Sequence, residues 1–355
     1  MTTTPQSHSR SVGRPWAAID IPFSQAGTAG AQHGDANPLV QLSRSDVPAL
    51  ILRRALKPAA CRALIQRFAD KGLLPADFSP YVKQELAPAP ARSSSGAKWV
   101  SFTDGQEHIL RERLDVGTAL GNLGTDPERF FADAAETHAL YATLFDGLGY
   151  NPIDLMYGAL ADLSGRTKQV VTAYEQTAAG KQEGDRLQYG PAIFRSHLPE
   201  FGYSPHIDSV RHREKRNGYE ISRFATQFGG ILLLQAPERI ALSGEAKTPG
   251  YTPLSDSYHD TIMYKAPCTE PAVRKFIEAA PDGQVAGLLD TMAFRQFVEQ
   301  NTIASFPVDL NTGDIYFFKS DSIHEVPGFG GRLARMTMAT FIGYSEEDGQ
   351  IMVWS

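Results

Sequence analysis

Two short segments of the chain hold residue types that bind transition metals. His206 and Asp208 lie two positions apart, and His324 follows much later in the sequence. Side chains alternate with period two along an extended segment, so we expect His206 and Asp208 to face the same way. Two imidazoles and one carboxylate can cap one face of a metal ion and leave positions open, the arrangement that suits non-haem Fe(II) chemistry with O₂.

A cation and a hydroxyl follow the distal histidine on the next predicted strand. Arg335 and Thr337 share one face of that strand by the same period of two. A buried guanidinium needs an anionic partner, and it can grip a carboxylate through two hydrogen bonds while a threonine hydroxyl adds another. The far carboxylate of 2-oxoglutarate is the partner that we predict. Arg332 is the competing cation, but the Gly-Gly pair before it indicates a turn, which favours Arg335.

Helical patterns dominate the first half of the chain, and strand patterns dominate the second. Residues 1–45 are rich in Ser, Thr, Gly and Pro and predict an irregular N-terminal arm. We expect residues 46–355 to form a single domain, with 46–165 as largely helical support and 166–355 as a β core. An insertion at about 236–311 precedes the distal histidine, and its length predicts a lid or flank.

The apolar periodicities place the individual elements. They predict helices near 57–72, 126–149, 152–163, 271–280 and 288–300, and strands near 47–52, 169–174, 192–197, 224–235, 313–319, 335–344 and 350–354. Short strands separated by Gly and Pro turns indicate a sandwich or barrel. The predicted fold class is therefore mainly β with flanking helices, in the manner of a jelly roll.

Composition excludes several classes of function. The net charge is −6, and the chain has no basic stripe interleaved with aromatics, so we expect no nucleic-acid partner. There is neither a long apolar run nor an N-terminal apolar signal, so no membrane segment is predicted. Cys61 and Cys268 are too far apart in sequence to indicate a disulfide framework or a zinc finger. We therefore expect a cytoplasmic protein that acts on a small molecule.

The H-x-D tripeptide, the distal histidine and the Arg-x-Thr pair together resemble the Fe(II)/2-oxoglutarate-dependent dioxygenase superfamily, over roughly residues 165–355. This resemblance implies a double-stranded β-helix core. It also implies that the His/Asp/His set binds Fe(II), that Arg335 and Thr337 hold 2-oxoglutarate, and that O₂ is the second co-substrate.

A narrower likeness concerns the halogenating members of the superfamily. The segment from Pro191 to Arg195 and the C-terminal stretch from Phe341 onward are similar to cyanobacterial indole-alkaloid halogenases. Those enzymes have glycine where this chain has Asp208, which frees an iron position for chloride. The carboxylate therefore favours hydroxylation, desaturation or ring formation on a small specialised metabolite or amino-acid derivative, with release of succinate and CO₂. Arg195 either contributes to the co-substrate pocket or forms a structural ion pair.

Two other functions remain open at this point. The same three ligands can serve a metal-dependent β-barrel isomerase or hydrolase, which would need no arginine for a dicarboxylate. A binding module of the same fold without activity is the second alternative. His259, in the insertion, either lines the substrate cavity or is a solvated loop residue.

Overall fold

The computed structural model describes residues 16–74, 97–103, 109–176, 186–212, 216–242, 251–253, 258–279 and 289–355, and for 97–103 and 109–112 it describes the backbone alone. The α-helices are α1 (Ala26–Gly30), α2 (Pro38–Ser43), α3 (Pro58–Asp70), α4 (Pro127–Leu144), α5 (Pro152–Leu163), α6 (Pro271–Ala279) and α7 (Thr291–Gln300). The strands are β1 (Ile19–Pro22), β2 (Ala49–Arg53), β3 (Ala97–Thr103), β4 (Ile109–Val116), β5 (Gln169–Thr172), β6 (Tyr174–Gln176), β7 (Arg186–Gln188), β8 (Ile193–His197), β9 (Tyr203–His206), β10 (Thr226–Gln235), β11 (Thr261–Pro267), β12 (Ser305–Val308), β13 (Ile315–Lys319), β14 (Ser322–Val326), β15 (Arg335–Tyr344) and β16 (Gln350–Trp354).

The strands form one large sheet, one small sheet and a separate hairpin. Eight strands of the ten-stranded sheet have the order β1-β2-β13-β10-β15-β8-β4-β3. The other two are β16, which pairs with β15, and β5, which pairs with β16. The pairs in this sheet are antiparallel except for β1 with β2 and β16 with β5. The four-stranded sheet has the order β12-β11-β14-β9, and β6 pairs with β7. The prediction of a β-rich protein with flanking helices is confirmed at this level.

Alternation along the strands gives the large sheet two different faces. On β15, Met336 and Met338 belong to a core that also includes residues of α3 and α5, so the helices cover this face. On β13, Tyr316 and Phe318 point the other way and join a second cluster with Met263 of β11 in the small sheet. The two sheets therefore share a packed layer, and side chains on this face of the large sheet are directed toward the small sheet.

The insertion contributes to the small sheet and does not only flank it. β11 lies between β12 and β14 and is hydrogen-bonded to both. α6 and α7 pack on the outer face of this sheet, where Phe294 contacts the ring of Tyr264. On the same face, Arg295 donates to the buried carboxylate of Glu325, with Nη2 3.1 Å from Oε1. The sequence pattern did not predict β11 or β12, because β11 pairs with β14, which lies far away in sequence, and β12 pairs with β11.

The N-terminal half differs from the predicted arm and helical support. Within residues 16–45 the chain forms β1, α1 and α2, and the N-cap of α2 is Asn37, whose Oδ1 accepts the N–H of Leu39 at 2.9 Å. The Asn37 amide also donates to the carbonyl of Leu163, which ties this segment to α5. β3 and β4 extend the large sheet from within the range predicted as largely helical. Among the residues described, no helix is both long and apolar enough to cross a membrane.

Candidate metal centre

His206 and His324 are brought together by the pairing of β9 with β14. The two strands are antiparallel, the two histidines are directly opposite in register, and their ring centroids are 4.3 Å apart. In each ring Nδ1 is bonded to the carbonyl oxygen two residues earlier, at 2.7 Å for Ser204 and 3.0 Å for Ser322. A carbonyl only accepts, so each Nδ1 donates and each Nε2 is left unprotonated in the neutral ring. That tautomer is the one that binds a metal through Nε2.

Asp208 completes the group from the segment that follows β9. Its Oδ2 lies 3.8 Å from Nε2 of His206 and 3.4 Å from Nε2 of His324. One ligand atom from each residue lies within 4.8 Å of the other two. From the sequence we expected strand alternation to place Asp208 beside His206. β9 ends at His206, however, so Asp208 lies beyond the strand and reaches the group in another way. Instead its backbone N–H donates to the carbonyl of Ser320 at 2.8 Å, which turns the chain back toward β14. We refer to His206, Asp208 and His324 as the triad.

Gln227 is a positioning residue that the sequence argument missed. It is buried on β10, and its Oε1 accepts the N–H of Val210 at 2.8 Å. Its Nε2 donates to the carbonyl of Ile221 at 3.1 Å, and its own carbonyl accepts the N–H of Ser320 at 2.9 Å. One side chain thus anchors the segment after Asp208 to the large sheet. The only signal in the sequence is a polar side chain near the start of a largely apolar strand.

Aromatic rings from both sheets lie beside the triad. The Phe318 ring lies edge-on to His324 at 4.7 Å, and the Tyr203 ring lies 5.7 Å from His206. Tyr316 shares a hydrogen bond of 2.7 Å with the hydroxyl of Thr261. Burial raises the pKa of Tyr316 to about 12, so its hydroxyl stays protonated at neutral pH. The two histidines of the triad are therefore buried among rings, whereas the Asp208 side chain is 28% exposed.

Arg335 is buried on the face of β15 that is directed toward the small sheet. Its Nε donates to Oδ1 of Asp260 at 3.3 Å, and the two residues are 2% and 1% exposed. Its Nη2 is buried and has no hydrogen-bond partner among the residues that the structure describes. Thr337 is buried on the same face. Arg332, the competing cation, is exposed. The guanidinium thus has an anionic partner within the protein and one nitrogen left over.

Asp260 depends on its neighbours for its charge. Burial raises the pKa of Asp260, whereas Arg335 and the N–H of Leu310, which donates to Oδ2 at 2.8 Å, lower it. Asp260 was not among the site residues predicted from the sequence. It belongs to the insertion, and no local pattern indicates that it meets β15.

A charged layer continues from Arg335 across β8 to β4. His197 is opposite Arg335 in register, and Arg195 lies two positions away on the same face. Nε of Arg195 is 3.8 Å from Oδ1 of Asp115, which also accepts Nε of Arg113 at 2.9 Å. Burial and then the three arginines hold the pKa of His197 well below its usual range, so the ring is neutral. For Arg195 the structure thus provides an ion pair, one of the two roles left open above.

Two other histidines, His259 and His138, lie outside the triad. Nδ1 of His259 is 3.0 Å from Oδ1 of Asp309 at a partly exposed position. Nε2 of His138 bonds to the carbonyl of Tyr189 at 2.8 Å. Neither is in a group of metal-ligating side chains among the residues described.

Comparison with known proteins gives matches by structure alone. No protein-family model matches the sequence, and no curated protein matches it significantly. The chain is similar to the solved structure of an N-substituted L-amino acid dioxygenase from Burkholderia ambifaria, with a TM-score of 0.37 and 14% identity over 71% of this chain and 88% of that one. It is similar to AviO1 from Streptomyces viridochromogenes, with a TM-score of 0.37 and 13% identity over 84% of this chain and 90% of that one.

A third similar structure is SnoN, a non-haem alpha-ketoglutarate-dependent epimerase from nogalamycin biosynthesis, with a TM-score of 0.35 and 10% identity over 92% of this chain and 84% of that one. The Burkholderia enzyme has also been solved with alpha-ketoglutarate, and SnoN with Fe³⁺, alpha-ketoglutarate and nogalamycin RO. These proteins include the kind of enzyme that the sequence resemblance indicated. Identities and TM-scores this low support no inference about activity, so we infer the function of this chain from the geometry of the triad.

Proposed function

We propose that this protein is an Fe(II)- and 2-oxoglutarate-dependent oxygenase whose metal ligands are His206, Asp208 and His324. The observation that carries the proposal is the convergence of two histidine Nε2 atoms on one carboxylate oxygen, at 3.8 and 3.4 Å, with both Nδ1 atoms held by backbone carbonyls. Such a set is preorganised, because the ring orientations and tautomers are fixed before a metal binds. The two packed sheets around it support the further proposal of a double-stranded β-helix within a single domain.

The donor set fits Fe(II). Two neutral imidazoles and one carboxylate would leave a divalent ion with a residual charge of about +1 and with open positions for a chelating keto acid and O₂. When bound, Fe(II) would supply the O₂ activation and C–H cleavage that no protein side chain provides. The protein's own part is to hold three ligand atoms on one side and to exclude water from the other.

Arg335 and Thr337 are the residues that we propose for the far carboxylate of 2-oxoglutarate. The unpartnered Nη2 of Arg335 is a buried donor that an anionic ligand would satisfy. Asp260 would act as a positioning residue, since it holds Nε of the same guanidinium and so fixes the direction of the remaining nitrogens. Arg195, with Arg113, would add positive potential to the same wall.

The substrate we propose is a small specialised metabolite or amino-acid derivative with an unactivated C–H bond. The Phe318 ring beside His324 and the Tyr203 ring beside the neutral His197 would supply the apolar contacts of a small-molecule site, and the arginines near His197 would supply its polar contacts. Whether the product is hydroxylated, desaturated or cyclised depends on where the pocket places that C–H bond relative to the metal. Succinate and CO₂ are the co-products.

The test is succinate formation from 2-oxoglutarate under O₂ by the Fe(II)-loaded protein. A mass-spectrometric screen of candidate metabolites would be scored for the gain of one oxygen or the loss of two hydrogens. We expect His206→Ala and Asp208→Ala to abolish Fe(II) binding and turnover. His33→Ala, at an exposed histidine outside the triad, should change neither. Turnover that survives removal of a triad residue would refute the assignment.

A second function is favoured by one observation. Because Asp260 already neutralises Arg335, this arginine does not strictly require a dicarboxylate. A metal-dependent isomerase or hydrolase could then use the triad alone to polarise a carbonyl or activate water. Calorimetry separates the two, since 2-oxoglutarate should bind the metal-loaded protein only if the oxygenase proposal is correct.

A further inference from the structure

A second cluster of metal-ligand side chains lies next to the triad. One ligand atom from each of His212, Cys268 and Asp321 lies within 4.8 Å of the other two. Cys268 is 6% and Asp321 is 3% exposed, while His212 is at the surface. The N–H of Cys268 donates to the carbonyl of Asp321 at 2.9 Å, which fixes the two buried residues side by side. We refer to these three residues as the second cluster.

The carboxylate of Asp321 gives an independent indication of a missing partner. Its Oδ1 is buried and has no hydrogen-bond partner within the described part of the chain. Its Oδ2 lies 3.7 Å from Nζ of Lys319, which also donates to Ser45 Oγ at 3.2 Å. A buried acceptor without a donor is costly, and a cation at Oδ1 would remove that cost. Lys319 on the other oxygen is placed like the outer partner of a metal-ligating carboxylate.

We propose that the second cluster binds a divalent transition-metal ion of the Zn²⁺ type, at a site separate from the triad. An imidazole, a thiolate and a carboxylate suit Zn²⁺, and the two anionic ligands balance its charge. With bond lengths of about 2.0 to 2.3 Å, a tetrahedral shell holds its ligand atoms roughly 3 to 4 Å apart. Because the ring of His212 is exposed, it can rotate and bring its ligand nitrogen from within 4.8 Å of the other two ligand atoms to the shorter spacing of a tetrahedral shell.

Binding at this site must displace a proton. Burial raises the pKa of the Cys268 thiol to about 12, and the Asp321 carboxylate adds to the effect, so the metal-free thiol is protonated. Lys319 and Arg274 act in the opposite direction and favour the thiolate. An S–H bond is replaced by an S–metal bond, and one proton passes to the solvent.

The ion would connect the two segments that also hold the triad. Asp208 and His212 lie on one segment, and Asp208 is bonded to Ser320, the neighbour of Asp321. A metal at the second cluster would therefore clamp the segment that carries Asp208 to the turn before β14. This role is structural and does not depend on the reaction at the triad.

Co²⁺ is the probe that separates the two sites. In full-length metal-free protein with His206→Ala and His324→Ala, we expect one equivalent of Co²⁺ to bind with a thiolate-to-cobalt absorption band in the near ultraviolet. One proton should be released per ion, and Zn²⁺ should remove the band. Cys268→Ser should abolish the band, whereas Cys61→Ser, at the buried cysteine of α3, should retain it.

Two outcomes would overturn the proposal. One is a triad-disabled protein that keeps its native circular dichroism but shows no thiolate band with Co²⁺. The other is a band that disappears in Cys61→Ser and persists in Cys268→Ser. As a check on folding, Cys268→Ser with an intact triad should still bind Co²⁺, without the band. The titration uses a disabled triad, so its result is independent of whether the protein is an oxygenase.

Discussion

Replacement of Arg335 by methionine tests the proposed 2-oxoglutarate contact and its structural support together. The variant leaves Asp260, which is 1% exposed, as a buried carboxylate without its cation. Breaking a buried ion pair on one side costs about 3 to 5 kcal/mol of unfolding free energy. Loss of a charge-assisted contact to the ligand costs about 1.5 to 3 kcal/mol. At about 1.4 kcal/mol per tenfold, the Kd for 2-oxoglutarate should rise by about 10- to 150-fold.

The double variant Asp260→Asn with Arg335→Met separates the two effects. A neutral amide at position 260 removes the unpaired charge, so most of the lost stability should return, while the affinity for 2-oxoglutarate should not. Urea unfolding gives the stability, and calorimetry on the metal-loaded protein without O₂ gives the Kd. Arg332→Met, at the exposed competing arginine, is the matched control and should alter neither quantity.

The pH dependence of the single variant follows from the same carboxylate. Burial raises the folded-state pKa of Asp260 above its unfolded value, and loss of Arg335 removes an interaction that lowers it. A raised carboxyl pKa means that the folded state binds a proton more readily, so stability falls as pH rises through that pKa. We expect Arg335→Met to recover stability as the pH is lowered. If the double variant binds 2-oxoglutarate as tightly as the wild type, Arg335 has only a structural role.

Three further predictions concern single side chains. The pKa of His197 is lowered by burial and nearby arginines, so the wild type should lose stability as pH falls below the unfolded value of about 6.5. His197→Gln should flatten this loss in unfolding curves from pH 7 to 5, and parallel curves would contradict the assignment. Gly313 has φ +92° and its added Cβ would lie 1.8 Å from a backbone carbonyl oxygen. Gly313→Ala should therefore cost more than about 1 kcal/mol by urea unfolding, unlike Gly349→Ala, where nothing lies within 4 Å. Phe68 stacks on Phe194 at 4.3 Å with both rings buried, so Phe68→Ala should cost about 3 to 5 kcal/mol. If Phe68→Ala also reduces metal binding while the protein remains folded, that core is coupled to the triad.

Much of the secondary structure was predictable because its signals are local. The helices α3, α4 and α5 follow apolar periodicity and terminal proline signals. In the ten-stranded sheet, strands β10, β13, β15 and β16 follow apolar runs between turns. The strands that were missed include β1, β3, β4, β11, β12 and β14. Each is stabilised by a partner strand that composition does not reveal, so the choice between loop and strand was made by tertiary pairing.

The candidate site divides in the same way. The sequence by itself determined which side chains can bind a metal, because His206, Asp208 and His324 supply two imidazoles and a carboxylate, and ligand chemistry belongs to the residue type. It also determined that a buried Arg335 needs an anion. Which anion meets its Nε was decided only by the tertiary structure, which brings in Asp260 from 75 positions away.

The convergence of the triad was likewise a tertiary outcome. Asp208 lies beyond the end of β9, and its position depends on the hydrogen bond to Ser320 and on the buried amide of Gln227. Neither partner is close in sequence, and neither follows from a spacing rule. The sequence determined the chemistry that the residues can perform, and strand register with long-range hydrogen bonds decided which of them meet, because such contacts form only when the two sheets pack.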